Sequence, residues 1–161
     1  KENIGFKETL YIVGGGHVGL AVSQLFKQLN FHVVVFDNRD NLNTLEANTF
    51  AHQKQVIDYT TIEDFIKEGN DSYVAIMTNK YTDDKLVLSK IIKNTYAYIG
   101  VLGSKAKLKT MWEVLQKEGF TQNELDQVYA PIGLHIKSET PEEIAVSIAA
   151  EIIQVKNTPK S

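Results

Sequence analysis

A doubly wound α/β fold, with a mostly parallel sheet of about six strands and helices on both faces, is predicted by three features of this 161-residue sequence. Short β-branched runs alternate with longer stretches of helical period, which is the pattern of repeated βαβ units. A glycine-rich turn follows the first run, and an acidic residue closes the second. The strand candidates are residues 9–13, 32–36, 55–59, 73–77, 96–102 and 129–134. Between the first two, Val18, Ala21, Val22, Leu25, Phe26 and Leu29 recur every three or four residues and form one helical stripe for a sheet. A short helix is expected around 42–50, and further helices at 61–67, 83–93, 104–118, 121–127 and 141–155. The last opens on Thr140-Pro141-Glu142-Glu143, where the hydroxyl caps, proline suits the first turn and Glu143 completes a capping box. Thr121 with Glu124 repeats that box. No repeat, linker or low-complexity block interrupts the alternation, so residues 1–161 read as one domain with a flexible tail expected at 157–161.

Composition narrows the chemistry. At 43% hydrophobic and 23% charged, a chain of this length buries roughly 70% of its unfolded surface without staples. The lack of cysteine excludes a disulfide scaffold, a zinc knuckle, an iron–sulfur site and a thiol nucleophile. The histidines His17, His32, His52 and His135 form no H-x-x-x-H pair or carboxylate box, so no metal site is expected. With a net charge of −3 and 17 basic residues scattered among 20 acidic ones, no basic face for nucleic acid is evident. The apolar runs fall short of the ~20 residues that span a bilayer, and no basic-then-apolar leader opens the chain. The expected compartment is the cytoplasm, with no membrane partner. All but one of the 17 basic residues are lysine; the exception is Arg39.

The glycine turn reads Gly14-Gly15-Gly16-His17-Val18-Gly19, in which Gly14, Gly16 and Gly19 satisfy G-x-G-x-x-G. Each glycine has its own reason: Gly14 for a tight turn, Gly16 for the approach of a pyrophosphate, Gly19 for close helix–strand packing. A phosphate would sit on the helix N-terminus, where N–H donors and a partial positive charge meet it. Asp37 ends the next strand, where an acid can accept bonds from a ribose diol. His17 can donate to an anion or stand as a solvated helix-start side chain. Arg39 can stack on an adenine or hold a 2′-phosphate, although Asp37 would repel that phosphate. The alternative is a fold that keeps its glycines for packing and binds something else.

In a doubly wound sheet every strand-to-helix turn lies on one edge, so further ligand groups are sought at Thr78-Asn79, Gly103-Ser104-Lys105 and Gly133-Leu134-His135. Gly103, Ser104 and Lys105 offer a second anion-binding helix start, or simply an N-cap followed by the solvated lysines Lys105, Lys107 and Lys109. Tyr81-x-x-x-Lys85 matches the Tyr/Lys pair of short-chain dehydrogenases, but the glycine spacing differs and no serine precedes it at the usual distance, so the match is read as chance.

Several stretches together resemble the C-terminal Rossmann domain of the xanthine dehydrogenase accessory protein family, XdhC/CoxI. They are Ile12 through Gly19, Phe36-Asp37-Asn38-Arg39, Tyr98 through Lys105, Ala130-Pro131-Ile132-Gly133-Leu134, and Thr140 through Ile148. The resemblance implies a maturation factor that binds molybdenum cofactor, as a pterin phosphate or dinucleotide, and delivers it to the apo-enzyme of a molybdenum hydroxylase. Two positions depart from the family pattern: Tyr81 stands where a histidine after the fourth strand is common, and His135 replaces the usual Asp after A-P-I-G-L. The candidate cofactor-binding residues are Gly14, Gly15, Gly16, His17, Gly19, Asp37, Arg39, Thr78, Gly103, Ser104 and Lys105. No catalytic residue is assigned, and a homodimer is left open. Two other functions compete. An NAD(P)-dependent oxidoreductase would need a substrate domain and an acid/base pair that the sequence does not display. A nucleotide-sensing regulatory module would have no reason to carry Gly103-Ser104-Lys105 or Pro131-Ile132-Gly133.

Overall fold

The computed structural model describes residues 5–159. Five strands, β1 (Thr9–Val13), β2 (His32–Asp37), β3 (Gln53–Val56), β4 (Gly69–Ile76) and β5 (Tyr96–Val101), form one parallel sheet in the order β3-β2-β1-β4-β5. The chain leaves β1 toward β2 and β3, then returns to the other side of β1 for β4, so the topological switch point lies between β1 and β4.

Strand alternation divides the core into two layers. Leu10, Ile12, Val33, Val35, Tyr73 and Ala75 face α1 (His17–Gln28), the short α2 (Asn43–Glu46) and α6 (Pro141–Asn157). Tyr11, Val13, Val34, Phe36, Val74 and Ile76 face α3 (Tyr81–Ile91), α4 (Lys105–Lys117), α5 (Gln122–Asp126) and a 3-10 turn over Tyr59–Asp64. Both faces are covered, as the near-continuous apolar runs of β1, β2 and β4 require. The capping boxes of Thr121 with Glu124 and Thr140 with Glu143 are both formed.

Several elements differ from the sequence expectation: β4 starts at Gly69 and α2 covers only Asn43–Glu46. The expected sixth strand at 129–134 is a single parallel bridge between Tyr129 and Gly100. Tyr129 donates to Ile99 and accepts from Val101, but Pro131 has no N–H with which to extend a ladder. Strand β3 ends at Val56 because Asp58 accepts from the Thr60 N–H at 2.9 Å and starts the 3-10 turn in which Tyr59 is buried. That turn stands in place of the helix expected at 61–67, and Thr61, at φ −119°, lies outside helical geometry. Helix α6 runs on through Asn157; of the expected tail, residues 160 and 161 lie outside the described residues.

Candidate functional site

The glycine turn is built by three different close approaches. Gly14 has φ +125°, its N–H donates to Phe36 at 2.7 Å, and a Cβ there would stand 2.1 Å from the Met77 carbonyl oxygen. A side chain at this position would therefore collide with the end of β4. At Gly19 a Cβ would lie 2.3 Å from the Gly14 carbonyl oxygen, so the absent side chain lets α1 pack against the turn. Gly16 is the opposite case: its Cβ position meets nothing within 4 Å. Its backbone, at φ −75°, is one that any residue can adopt, so glycine there keeps space open rather than relieving strain.

Gly16 is also the N-cap of α1, and no side chain caps that helix or places an acid in its first turn. The helix start thus offers N–H donors and the positive end of the macrodipole to an outside anion. His17, the first residue of α1, is exposed beside it.

Asp37 and Arg39 flank this turn in a closed arrangement. The Asp37 carboxylate is 1% exposed and accepts from the Gly15 N–H at 2.7 Å, the Arg39 N–H at 3.0 Å, and Arg39 Nε and Nη2, both at 2.9 Å. Burial pushes its pKa up, but the Arg39 side chain and the Gly15 and Arg39 amides outweigh it and hold the group below the usual carboxylate range. These four bonds fill the carboxylate's ordinary acceptor capacity, so a ribose hydroxyl would have to displace one of them. Thr44, on α2, donates to the Gly15 carbonyl at 2.5 Å and adds a further tie on this side.

On the β4 side, Thr78 is bound to Asp84, a residue absent from the candidates that motif and spacing suggest. The Thr78 N–H and hydroxyl both donate to Asp84 Oδ1, at 2.8 and 2.7 Å. Asp84 is 8% exposed. Its burial raises the pKa to about 6 against the lowering effect of the Thr78 bonds. The signal for it in the sequence is a strand-end threonine followed six residues later by an acid on the inward side of a helix's first turn. Tyr81 and Lys85 do not form a relay: the Tyr81 hydroxyl is buried with no hydrogen-bond partner, while Lys85 pairs with Glu118 at 2.6 Å.

The last candidates lie farther along the same edge. Ser104 caps α4 by accepting from the Lys107 N–H at 3.2 Å, and Ser104 and Lys105 are exposed. Because β4 separates β5 from β1, the strands that lead to this helix start and to the glycine turn lie two spacings apart, about 10 Å, and α4 packs on the opposite face of the sheet from α1. The structure thus joins Gly14, Gly15, Gly16, Gly19, Asp37 and Arg39 into one unit and places Thr78 beside it. Gly103, Ser104 and Lys105 form a neighbouring group.

Comparison with known proteins agrees with this geometry. The family model of the XdhC Rossmann domain matches residues 10–152. The uncharacterized protein YqeB of Escherichia coli (strain K12) is 32% identical over 95% of this chain and 28% of its own length. A protein of Bacillus subtilis (strain 168) described as a probable component of xanthine dehydrogenase is 29% identical over 93% of this chain and 43% of its own. A crystal structure of a xanthine dehydrogenase from Bacillus halodurans superposes with a TM-score of 0.81 at 31% identity, covering 96% of this chain and 44% of that one. The chain therefore spans less than half the length of each of these relatives. A match that runs from β1 to the last turns of α6, over a sheet and glycine turn of the expected form, makes this chain a member of the XdhC family, corresponding to its Rossmann-like C-terminal domain.

Proposed function

We propose that the domain binds a phosphate-bearing, nucleotide-type ligand on the glycine turn, and that it contributes in this way to loading molybdenum cofactor into a molybdenum hydroxylase such as xanthine dehydrogenase. The observation that carries the proposal is the open space at Gly16 over an uncapped helix start, between two glycines that cannot bear a side chain. The names of two relatives supply the link to xanthine dehydrogenase.

The donor set fits the organic part of the cofactor. Backbone N–H groups at the start of α1 would hold its phosphate, His17 would reach the same anion, and Ser104 with Lys105 would engage a second anionic group farther along the edge. The chain has no cysteine and so offers no thiolate to molybdenum; the cofactor's own dithiolene supplies that ligation when it is bound. The domain's contribution is to bind and present the cofactor.

The test has two readouts. Calorimetry against NAD, NADP, AMP and molybdopterin identifies the ligand, and co-expression with a molybdenum hydroxylase reads activation. Ser104→Ala with Lys105→Ala should lower hydroxylase activation while costing only about 1 kcal/mol of stability, the usual loss of a helix cap. Robust NADPH oxidation by the isolated chain, or full activation by the double variant, would overturn the reading.

A further inference from the structure

We propose that a second cavity at the same edge of the sheet, which shares only Lys105 with the residues assigned above to the cofactor, is a further ligand site, for a small, largely apolar molecule with an anionic end. The cavity measures about 390 Å³ and lies between the end of β5, the 131–138 segment and α6. No residue of the glycine turn lines it. Its size falls within the range of small-molecule pockets.

Its lining is unusual for this protein. Lys105, His135 and Lys137 face the cavity and none of its lining residues is Asp or Glu, although the chain as a whole carries −3. The other walls are mostly aliphatic, with Leu102, Ile132 and Ile144 among them. Lys105 and Lys137 are exposed at its rim, and with no carboxylate among the lining they give an entering anion a positive local field. An apolar body on the ligand would bury the aliphatic surface. His135, one of the two departures from the family pattern, is thus among the residues that keep the cavity free of negative charge.

The wall is also held in place. Buried Glu151, on α6, accepts from the Tyr98 hydroxyl at 2.5 Å and from the Gly133 N–H at 2.8 Å through the same oxygen, Oε1. Gly133 has φ +95°, and a Cβ there would come within 2.5 Å of Ser147 Oγ. Leu134 donates its N–H to the Ser147 carbonyl at 3.0 Å. The segment bearing His135 and Lys137 is therefore tied to β5 and α6 before any ligand arrives. Tyr98 and Glu151 are positioning residues here, since neither lines the cavity.

The experiment uses 1-naphthyl phosphate as the anionic probe, 1-naphthol as its neutral counterpart and ADP as a reporter of the glycine turn, each followed by amide chemical shifts of the intact chain. The expected result is that 1-naphthyl phosphate shifts the amides of residues 102–105 and 132–138. His135→Ala with Lys137→Asn should weaken it by about fivefold or more, asparagine being chosen because Lys137 sits at φ +60°. Naphthol affinity should not change in that variant, and ADP should shift residues 14–19 equally in both proteins. Failure of ADP to bind would count against the proposed function while leaving this site standing. Absence of naphthyl phosphate shifts around the cavity, unchanged affinity in the double variant, or equal loss for naphthol would overturn the second site.

Discussion

Four donors converge on the carboxylate of Asp37, and all of them come from the protein itself. Its identity as the acid closing the second strand was legible from spacing alone, but its commitment to Gly15 and Arg39 was not, because hydrogen-bond direction depends on side-chain geometry. Asp37→Ala should therefore lower stability by roughly 1–3 kcal/mol, leaving a buried Gly15 N–H unpaired while half-exposed Arg39 recovers part of its loss in water. Since the folded pKa is depressed, the Asp37 contribution is present above the ordinary carboxylate value and lost as pH falls through the lowered one. Denaturant unfolding of wild type and variant should converge at low pH; a constant gap would contradict the assignment. Asp84 has the opposite sign. Its pKa is raised from 3.8 to about 6, so its contribution is full below pH ~4 and is lost as pH rises through about 6. Asp84→Asn, which keeps an acceptor for Thr78, should be the more stable protein at pH 7–8 by ~1–3 kcal/mol and lose that advantage near pH 4. Parallel stability curves between pH 4 and pH 8 would remove Asp84 as a buried acid.

At the scale of elements, β1, α1, β5 and α6 were readable because their apolar periods, and in α6 the capping box as well, point one way. The failures cluster where local chemistry competes with periodicity. Asp58 turns the chain into a 3-10 segment, and Pro131 denies the sixth strand its ladder. Strand β3 is the thinnest element: all four of its residues are exposed, and its alignment rests partly on His52 just before it. His52 accepts the Val33 N–H on Nδ1 at 3.0 Å and donates its own backbone N–H to the Val33 carbonyl at 2.8 Å. Burial, then the charge of Lys27, lower its pKa, while burial and His52 lower that of His32, whose ring centroid lies 5.1 Å away. A protonated His52 can no longer accept at Nδ1. Stability from this pair is present above pH ~6.5 and lost as pH falls through the depressed values. His52→Ala should cost about 1–2 kcal/mol at pH 7.5 by orphaning the buried Val33 donor, and less at pH 5. Equal unfolding midpoints for variant and wild type at pH 7.5 would show that the bond does not hold β3.

At the scale of the whole molecule, the doubly wound order brings the ends of β1 and β4 together at the switch point, and that is where Gly14 presses on Met77 and where Thr78 meets Asp84. The glycine turn was legible because each glycine answers a separate steric demand, whereas sequence marked Lys105 and His135 as turn residues on one edge but not the cavity they share with Lys137, which joins positions more than thirty apart in the chain. On the proposed function, the open backbone at Gly16 seats a phosphate. Calorimetric titration of wild type and Gly16→Val with ADP is the test, because a Cβ at this position would meet nothing within 4 Å beyond its chain neighbours and φ −75° suits valine. Wild type should bind ADP measurably and Gly16→Val at least about tenfold more weakly, with melting temperature nearly unchanged. Equal affinity for ADP in the two proteins, or no binding of ADP by wild type, would contradict it.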